Sequence, residues 1–504
     1  MKKIKKECFI IAILLLILTS IIMVKPLNDL DEIWNYNFAR NIVDGNMPYK
    51  DFNMIQMPLV PALCAMFLNL LGNELMIMRI IAILLCTIIL FITYKILELL
   101  KVNKWLNCAF LIFLIYILKD HFRIDYNFFV LFNVLWIIYI ELKSIREKKT
   151  KEELLTSSKK DIVLGILAGI CICSKQTTGA FVAIVLVGYN LLNVSNFKEF
   201  KLFIKKAIYR VIGVFIPLLM LSIYFTWNHL WNDFIDYCIL GIGTFSNSIS
   251  YSNLLTNSNI LIKTLSIIVP IFLISMIGNI LVNKYKRKEI DSQLLTIVSY
   301  AIAEMVVVFP ISDDIHFLIG AFPAMIGNIY GMSTLSKKLK NEKVKIFIKE
   351  YLKAFNILAV AILCTVSIVS LYNYAIQAGQ YTTLNHFNYI IQSQDQIDSI
   401  KNVEEYIQKQ DKNVYILDAA AAIYTIPINR YTKNYDMFLI GNLGADGEEG
   451  IIEDLQEKEN YIVLIKNEQY SRNWQNPEKV RKYIIENMNK MGEIDAFDIY
   501  MKNK

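Results

Sequence analysis

The feature that most constrains this chain is a succession of apolar runs, many near bilayer-spanning length, separated by short segments crowded with lysine. Inside a bilayer such a run satisfies its backbone polar groups by becoming a helix. A soluble domain of 504 residues would need far more polar surface, because 55% of the residues are hydrophobic and only 19% are charged. The chain therefore reads as a polytopic membrane protein. Its net charge of +7 is concentrated between the apolar runs, which marks topology and not nucleic-acid binding. Lysine greatly outnumbers arginine, and this argues further against base readout.

Charge orders the walk along the chain. With Lys2, Lys3, Lys5 and Lys6 placed in the cytoplasm, a first helix (8–24) exits near Lys25 and opens an outer loop, 26–72, with short helices along the membrane surface. Further helices are expected at 74–99, 105–118, 126–142, 162–174, 177–193, 208–227, 260–282, 294–310, 316–334 and 354–374, about eleven in all. Under this assignment every strongly basic loop falls on the cytoplasmic side, and the 228–259 loop, which has no Lys or Arg, falls outside. An N-terminal signal peptide fits less well than an uncleaved first helix, since no small-residue cleavage pattern follows the run.

The tail, 375–504, changes to a soluble composition. Runs at 414–417, 461–465 and 497–500 read as strands. Pro477 opens a helix whose apolar stripe is Val480, Tyr483, Ile484, Asn487, Met488 and Met491, with Gly492 as its stop. The expectation is an all-α membrane domain (1–374) followed by a small extracytoplasmic α/β domain (375–504). Most of the eight cysteines sit in apolar runs, and the Cys171/Cys173 spacing suits neither a zinc site nor a redox pair on a helix. Cys238, in the outer loop, is expected to be open to labelling from outside.

Ionisable side chains gather toward the outer face. The first loop offers Asp31, Glu32 and Arg40; the second offers Asp120, His121, Arg123 and Asp125; later turns add Lys175, Asp313, Asp314 and His316. Several carboxylates beside a few cations suit group transfer from a phosphorylated lipid. One carboxylate takes the proton of an acceptor hydroxyl, and cations or a divalent metal held by carboxylates offset charge on the departing phosphate. A structural reading stands beside each: Asp31 and Glu32 as charges on a first helical turn, Asp125 as the partner of Arg123 or a helix cap, and Lys175 as a snorkelling lysine. Glu304 lies within an apolar run, where an ionisable group is costly. Gly441, Gly444 and Gly447 form a weak glycine pattern that reads as a surface loop.

The first loop resembles the signature of the GT-C superfamily of integral membrane glycosyltransferases, particularly its protein mannosyltransferase and aminoarabinose transferase branch. The features that carry this are Asp31-Glu32 soon after the first helix, Ala39-Arg40, the Gly45–Asp51 stretch, and Pro58-Leu59 leading to Gly72 and Arg79. Asp125, the Gly165–Lys175 segment, and His316 to Pro323 continue the resemblance over roughly residues 1–330, with His316-Phe317 standing where the family usually has Arg-Tyr. The resemblance implies a polyprenyl-phosphate sugar donor, a glycan, lipid or protein acceptor, and inversion at the anomeric centre. It makes Asp31 the leading base, with Glu32 and Asp125 as partners for acceptor or metal. Arg40 and Lys175 are then the holders of the lipid phosphate, with Arg123 and His316 as further substrate contacts. The alternative is a lipid-linked sugar flippase, which should concentrate polar groups at the membrane midplane.

Overall fold

The computed structural model describes residues 2–148, 150–244, 249–286, 288–338, 340–381, 384–467 and 476–502. Among them, five helices are long and apolar enough to cross a membrane: Leu75–Leu99, Tyr126–Glu147, Phe197–Trp227, Ile260–Tyr285 and Glu342–Gln380. A sixth crossing is made if Asp314–Gly320 and Phe322–Lys337, bent by 52°, are counted as one. The expected single helix at 316–334 is thus broken. Pro323 has no N–H to give and crowds the carbonyl four residues back, so it starts a new helix and does not continue the old one. The helices Lys104–Leu118 and Ser292–Val308 are apolar but shorter.

By contact the chain forms two compact units, each discontinuous in sequence: 1–22, 82–222 and 248–371 make the first, and 23–81, 223–247 and 372–504 the second.

In the first unit, helices α1 (Lys159–Ser174) and α2 (Gln176–Gly188) form a tight hairpin packed on α3 (Phe197–Trp227). Small residues make the approach possible. A Cβ on Gly165 would lie 2.1 Å from the Arg210 carbonyl oxygen, and one on Gly213 would lie 2.2 Å from that of Ile162. Gly169, four residues after Gly165, gives the same clearance to Val214 and Pro217, so this is small-residue packing of the membrane kind. Below it lies a buried charge network. Arg210 donates to Asp161 Oδ1 at 3.0 Å, to Glu141 and to the Leu186 carbonyl, and Lys206 lies 3.7 Å from Asp161. Asp161 also closes a capping box with Ser158 at the start of α1. The lysine-rich loops touch one another at this end: Lys198 meets Glu152, Lys206 donates to the Leu154 carbonyl, Lys284 to those of Leu192 and Val194, and Lys337 to that of Lys101.

In the second unit a four-stranded sheet, order β1-β2-β4-β3, is built from β1 (Asn413–Leu417), β2 (Tyr461–Lys466), β3 (Met488–Ile494) and β4 (Phe497–Lys502). β1 and β2 are parallel; β4 runs antiparallel to both β2 and β3. Side chains alternate between two apolar layers: Tyr415, Leu417 and Val463 on one face, Val414, Ile416 and Leu464 on the other. The three expected strands are present. The helix after Pro477 ends at Asn487, however, and Met488, Met491 and Gly492 belong to β3. Ladder pairing with β4 overrides the helical stripe that these residues continue.

The first loop is part of this unit. It folds as α4 (Leu30–Val43) and α5 (Leu59–Leu71), and the chain on either side is laced to the tail. Leu27 donates to the Ile391 carbonyl, Trp34 Nε1 to that of Ala419 at 2.7 Å, Asn53 to that of Asn442, and Leu75 to that of His386. The glycine loop has a packing role here: Gly444, at φ +82°, lies against Asp236, whose carboxylate accepts from the Ala445 N–H at 2.8 Å. Cys238 is fully buried, its thiol 3.7 Å from the Ile55 carbonyl, so it is not open to labelling as expected.

Candidate active site

In the second unit, Asp29 caps α4 by accepting from the Glu32 N–H, which places Asp31 and Glu32 in the first turn. One residue apart, they face different surroundings. Asp31 is half-buried. Glu32 turns inward to a two-point ion pair with Arg79: Nε to Oε1 and Nη2 to Oε2, both at 2.9 Å. The two side chains are 6% and 0% exposed. Arg79 also donates to the carbonyls of Met23, Lys25 and Pro26. Glu32 is therefore committed to a clamp on the segment leading into α4. Arg79 could have been found from sequence, because an arginine inside an apolar run needs a partner.

Arg40 is fully buried. Its guanidinium donates to the Ile426 and Arg430 carbonyls at 3.1 and 3.3 Å and to Asn37 Oδ1 at 3.4 Å, and it stacks on Tyr431 at 4.2 Å. Expected as a holder of the lipid phosphate, Arg40 here joins α4 to the 426–436 segment through these contacts. Burial pushes the Asp436 carboxyl up to about 6, while Arg40 and hydrogen bonds from Thr432 and Asn37 act in the opposite direction. The Gly45–Asp51 stretch is a tight turn, with Gly45 and Tyr49 at positive φ and Asp51 accepting from the Met47 N–H.

In the first unit the structure brings together residues from three separate turns. Asp125 caps α6 (Tyr126–Glu147) by accepting from the Phe128 N–H at 2.8 Å, and its other oxygen accepts from Arg123 Nε at 3.2 Å. Both structural readings of Asp125 hold at once. Lys175, in the turn between α1 and α2, donates to Asn127 Oδ1 at 2.8 Å and lies over Tyr126 at 5.2 Å. Its carboxylate neighbours are Asp125, Glu304 and Asp313. Asp313 caps the helix that follows it, and its Oδ1 lies 2.7 Å from His316 Nδ1. Burial pushes the Asp313 carboxyl up, but the hydrogen bonds and charge of His316, with the charge of His121, hold it below the ordinary value. Glu304 is fully buried, and neither carboxylate oxygen has a hydrogen-bond partner among the described residues. Among those residues no three His, Cys, Asp or Glu side chains converge as metal ligands.

No protein-family model matches the sequence, and no curated protein matches it. Solved structures do. ArnT from Cupriavidus metallidurans aligns over 99% of this chain and 98% of its own, with a TM-score of 0.56 at 10% identity. The fold is that of the GT-C membrane glycosyltransferases. ArnT bound to undecaprenyl phosphate aligns over 98% of this chain and 97% of its own, with a TM-score of 0.53 at 12% identity. The oligosaccharyltransferase of Archaeoglobus fulgidus aligns over 91% of this chain and 69% of its own, with a TM-score of 0.52 at 11% identity. At these identities the likeness is one of fold, and within the GT-C fold the residues must argue for themselves.

Proposed function

We propose that this protein transfers a sugar from a polyprenyl-phosphate donor to a hydroxyl acceptor at the extracytoplasmic membrane face, with inversion. The observation that carries the proposal is the GT-C fold extending over nearly the full length of both this chain and ArnT, a protein also solved with undecaprenyl phosphate. In this reading the chain crosses the membrane about eleven times, with its N-terminus in the cytoplasm. Residues 1–374 form the catalytic membrane domain, and 375–504 lie outside. Support for a common side comes from the first loop and the tail, which share one compact unit.

Asp31 is the general base, taking the acceptor proton as the hydroxyl attacks the anomeric carbon from the face opposite the phosphate. Lys175 is the principal cation for the departing lipid phosphate, with His316 and Arg123 assisting. Glu32 and Asp125 serve as positioning residues, Glu32 through Arg79 and Asp125 through Arg123 and the α6 cap. The test uses purified protein in detergent with a polyprenyl-phosphate sugar and candidate acceptors. Acceptor-dependent release of polyprenyl phosphate is expected, and it should fall by at least about a hundredfold in Asp31→Asn, in line with loss of a general base. Equal turnover by the wild type and Asp31→Asn rejects the assignment of the base. Movement of labelled lipid-sugar across vesicles without covalent change rejects the transferase.

A further inference from the structure

At the lysine-rich end of the first unit a cavity of about 1400 Å³ opens between Lys148, Thr150 and Leu154, the 192–195 segment, and Lys284, Tyr285 and the 288–293 segment. Lys148, Lys284 and Lys288 line it, and among the described residues none of the three forms an ion pair with a carboxylate. Lys284 spends two donors on the Leu192 and Val194 carbonyls, and Lys148 reaches only the Thr156 carbonyl at 3.5 Å. Of the two acids in the lining, Asp291 is already occupied: its carboxylate accepts from the Gln293 and Leu294 N–H groups and from the Tyr330 hydroxyl at 2.9 Å. Glu289 is the other acid, so three lysines face two carboxylates and the lining keeps a net charge of +1.

A second cavity, about 670 Å³, lies beside it and is lined by Phe110, Phe113, Phe272, Met276, Met325 and Leu335 among others. Asp291 lines both cavities, so the cationic chamber and the apolar groove meet at that residue. Met332 and Leu335, which line the groove, are 53% and 63% exposed on a helix of the membrane-crossing set, so the groove opens toward lipid. A basic pocket joined to a hydrocarbon-lined groove has the form of an anionic-lipid site.

We propose that this pair of cavities binds an anionic phospholipid from the leaflet on the lysine-rich side. The phosphate headgroup lies among Lys148, Lys284 and Lys288, and one acyl chain lies along the groove. This site is separate from the residues assigned to sugar transfer.

The test takes the full-length protein, delipidated in detergent, and follows native mass spectrometry and thermal unfolding. The probes are dioleoyl phosphatidylglycerol, dioleoyl phosphatidylcholine and soluble glycerol phosphate. Phosphatidylglycerol should be retained and should raise the unfolding temperature, whereas the other two should not. Lys148→Gln with Lys288→Gln should weaken retention by about fivefold for each charge removed. Gly331 lines the groove, and a Cβ there would meet nothing within 4 Å, so Gly331→Leu should fill the groove without disturbing the fold. That variant should lose the lipid-induced shift while the delipidated protein unfolds at an unchanged or higher temperature. Equal effects of phosphatidylcholine would remove the headgroup site. A shift reproduced by glycerol phosphate alone would make it a soluble-anion site and overturn the lipid assignment. An undiminished shift in Gly331→Leu would overturn the placement of the chain.

Discussion

Asp31 and Glu32 are adjacent in sequence and separate in consequence. Glu32 lies in a buried two-point pair, so removing either partner leaves an uncompensated charge; Glu32→Gln or Arg79→Met should cost about 3–5 kcal/mol. Asp31→Asn should cost no more than about 1 kcal/mol, the worth of a negative charge at a helix N-terminus, while lowering turnover by at least about a hundredfold. Thermal unfolding and turnover measured on the same preparations separate the two. Asp436 gives a pH signature. Its folded pKa, about 6, stands above the ordinary carboxylate value, so between that value and about 6 the folded state holds a proton that the unfolded state has lost. Its contribution to stability therefore declines as pH rises through this window. Asp436→Asn should flatten the pH dependence of unfolding between pH 4 and 6.5, and a slope unchanged from wild type contradicts the assignment.

Helix against helix, the first unit depends on glycine where backbones meet. Gly165→Leu would place side-chain carbon where the Arg210 carbonyl already lies, and should yield no monodisperse protein in detergent. Gly278, within Ile260–Tyr285, has open space around its Cβ position. Gly278→Ala should be tolerated and gain up to about 1 kcal/mol from helix propensity. Size-exclusion profiles and unfolding temperatures of the two variants check the contrast. Much of this level could be read in advance: the apolar runs located the long helices, and β-rich runs located three strands. The misses have separate causes. Met488 and Met491 continue a helical stripe, and only pairing with β4, a contact made elsewhere in the chain, turns them into strand. The break before Pro323 was local and legible; the extension of α3 back to Phe197 came from a charged amphipathic stretch that an apolar window does not register.

At the scale of the whole molecule, the composition changes near 375, toward the end of the long apolar helix Glu342–Gln380, while contacts gather 23–81, 223–247 and 372–504 into one unit. Arg40 and its carbonyl acceptor at Ile426 are 386 residues apart, and no local periodicity announces such a partner. The sequence marks the first-loop residues as polar, and for Arg40 the structure adds an interior contact that the sequence does not announce. Deleting 375–504 should leave the 26–72 segment without its hydrogen-bond partners. Limited proteolysis of the truncated protein should then cut there first, where the intact chain resists. Arg40→Ala should show a milder form of the same sensitivity, with a stability loss of about 3 kcal/mol from the removed buried charge.

This discontinuity also bears on biosynthesis. Residue 81 leaves the ribosome 291 residues before residue 372, the interval between the first and last segments of the second unit. At 5–20 residues per second that is roughly 15–60 s. Throughout that time the Asp31 segment lacks the partners that later enclose it, and its stretch of unsatisfied backbone is open to proteases and chaperones. Assembly of the acidic segment is therefore gated by completion of translation, so a chain stalled before the tail would hold its apolar helices with this segment still unassembled.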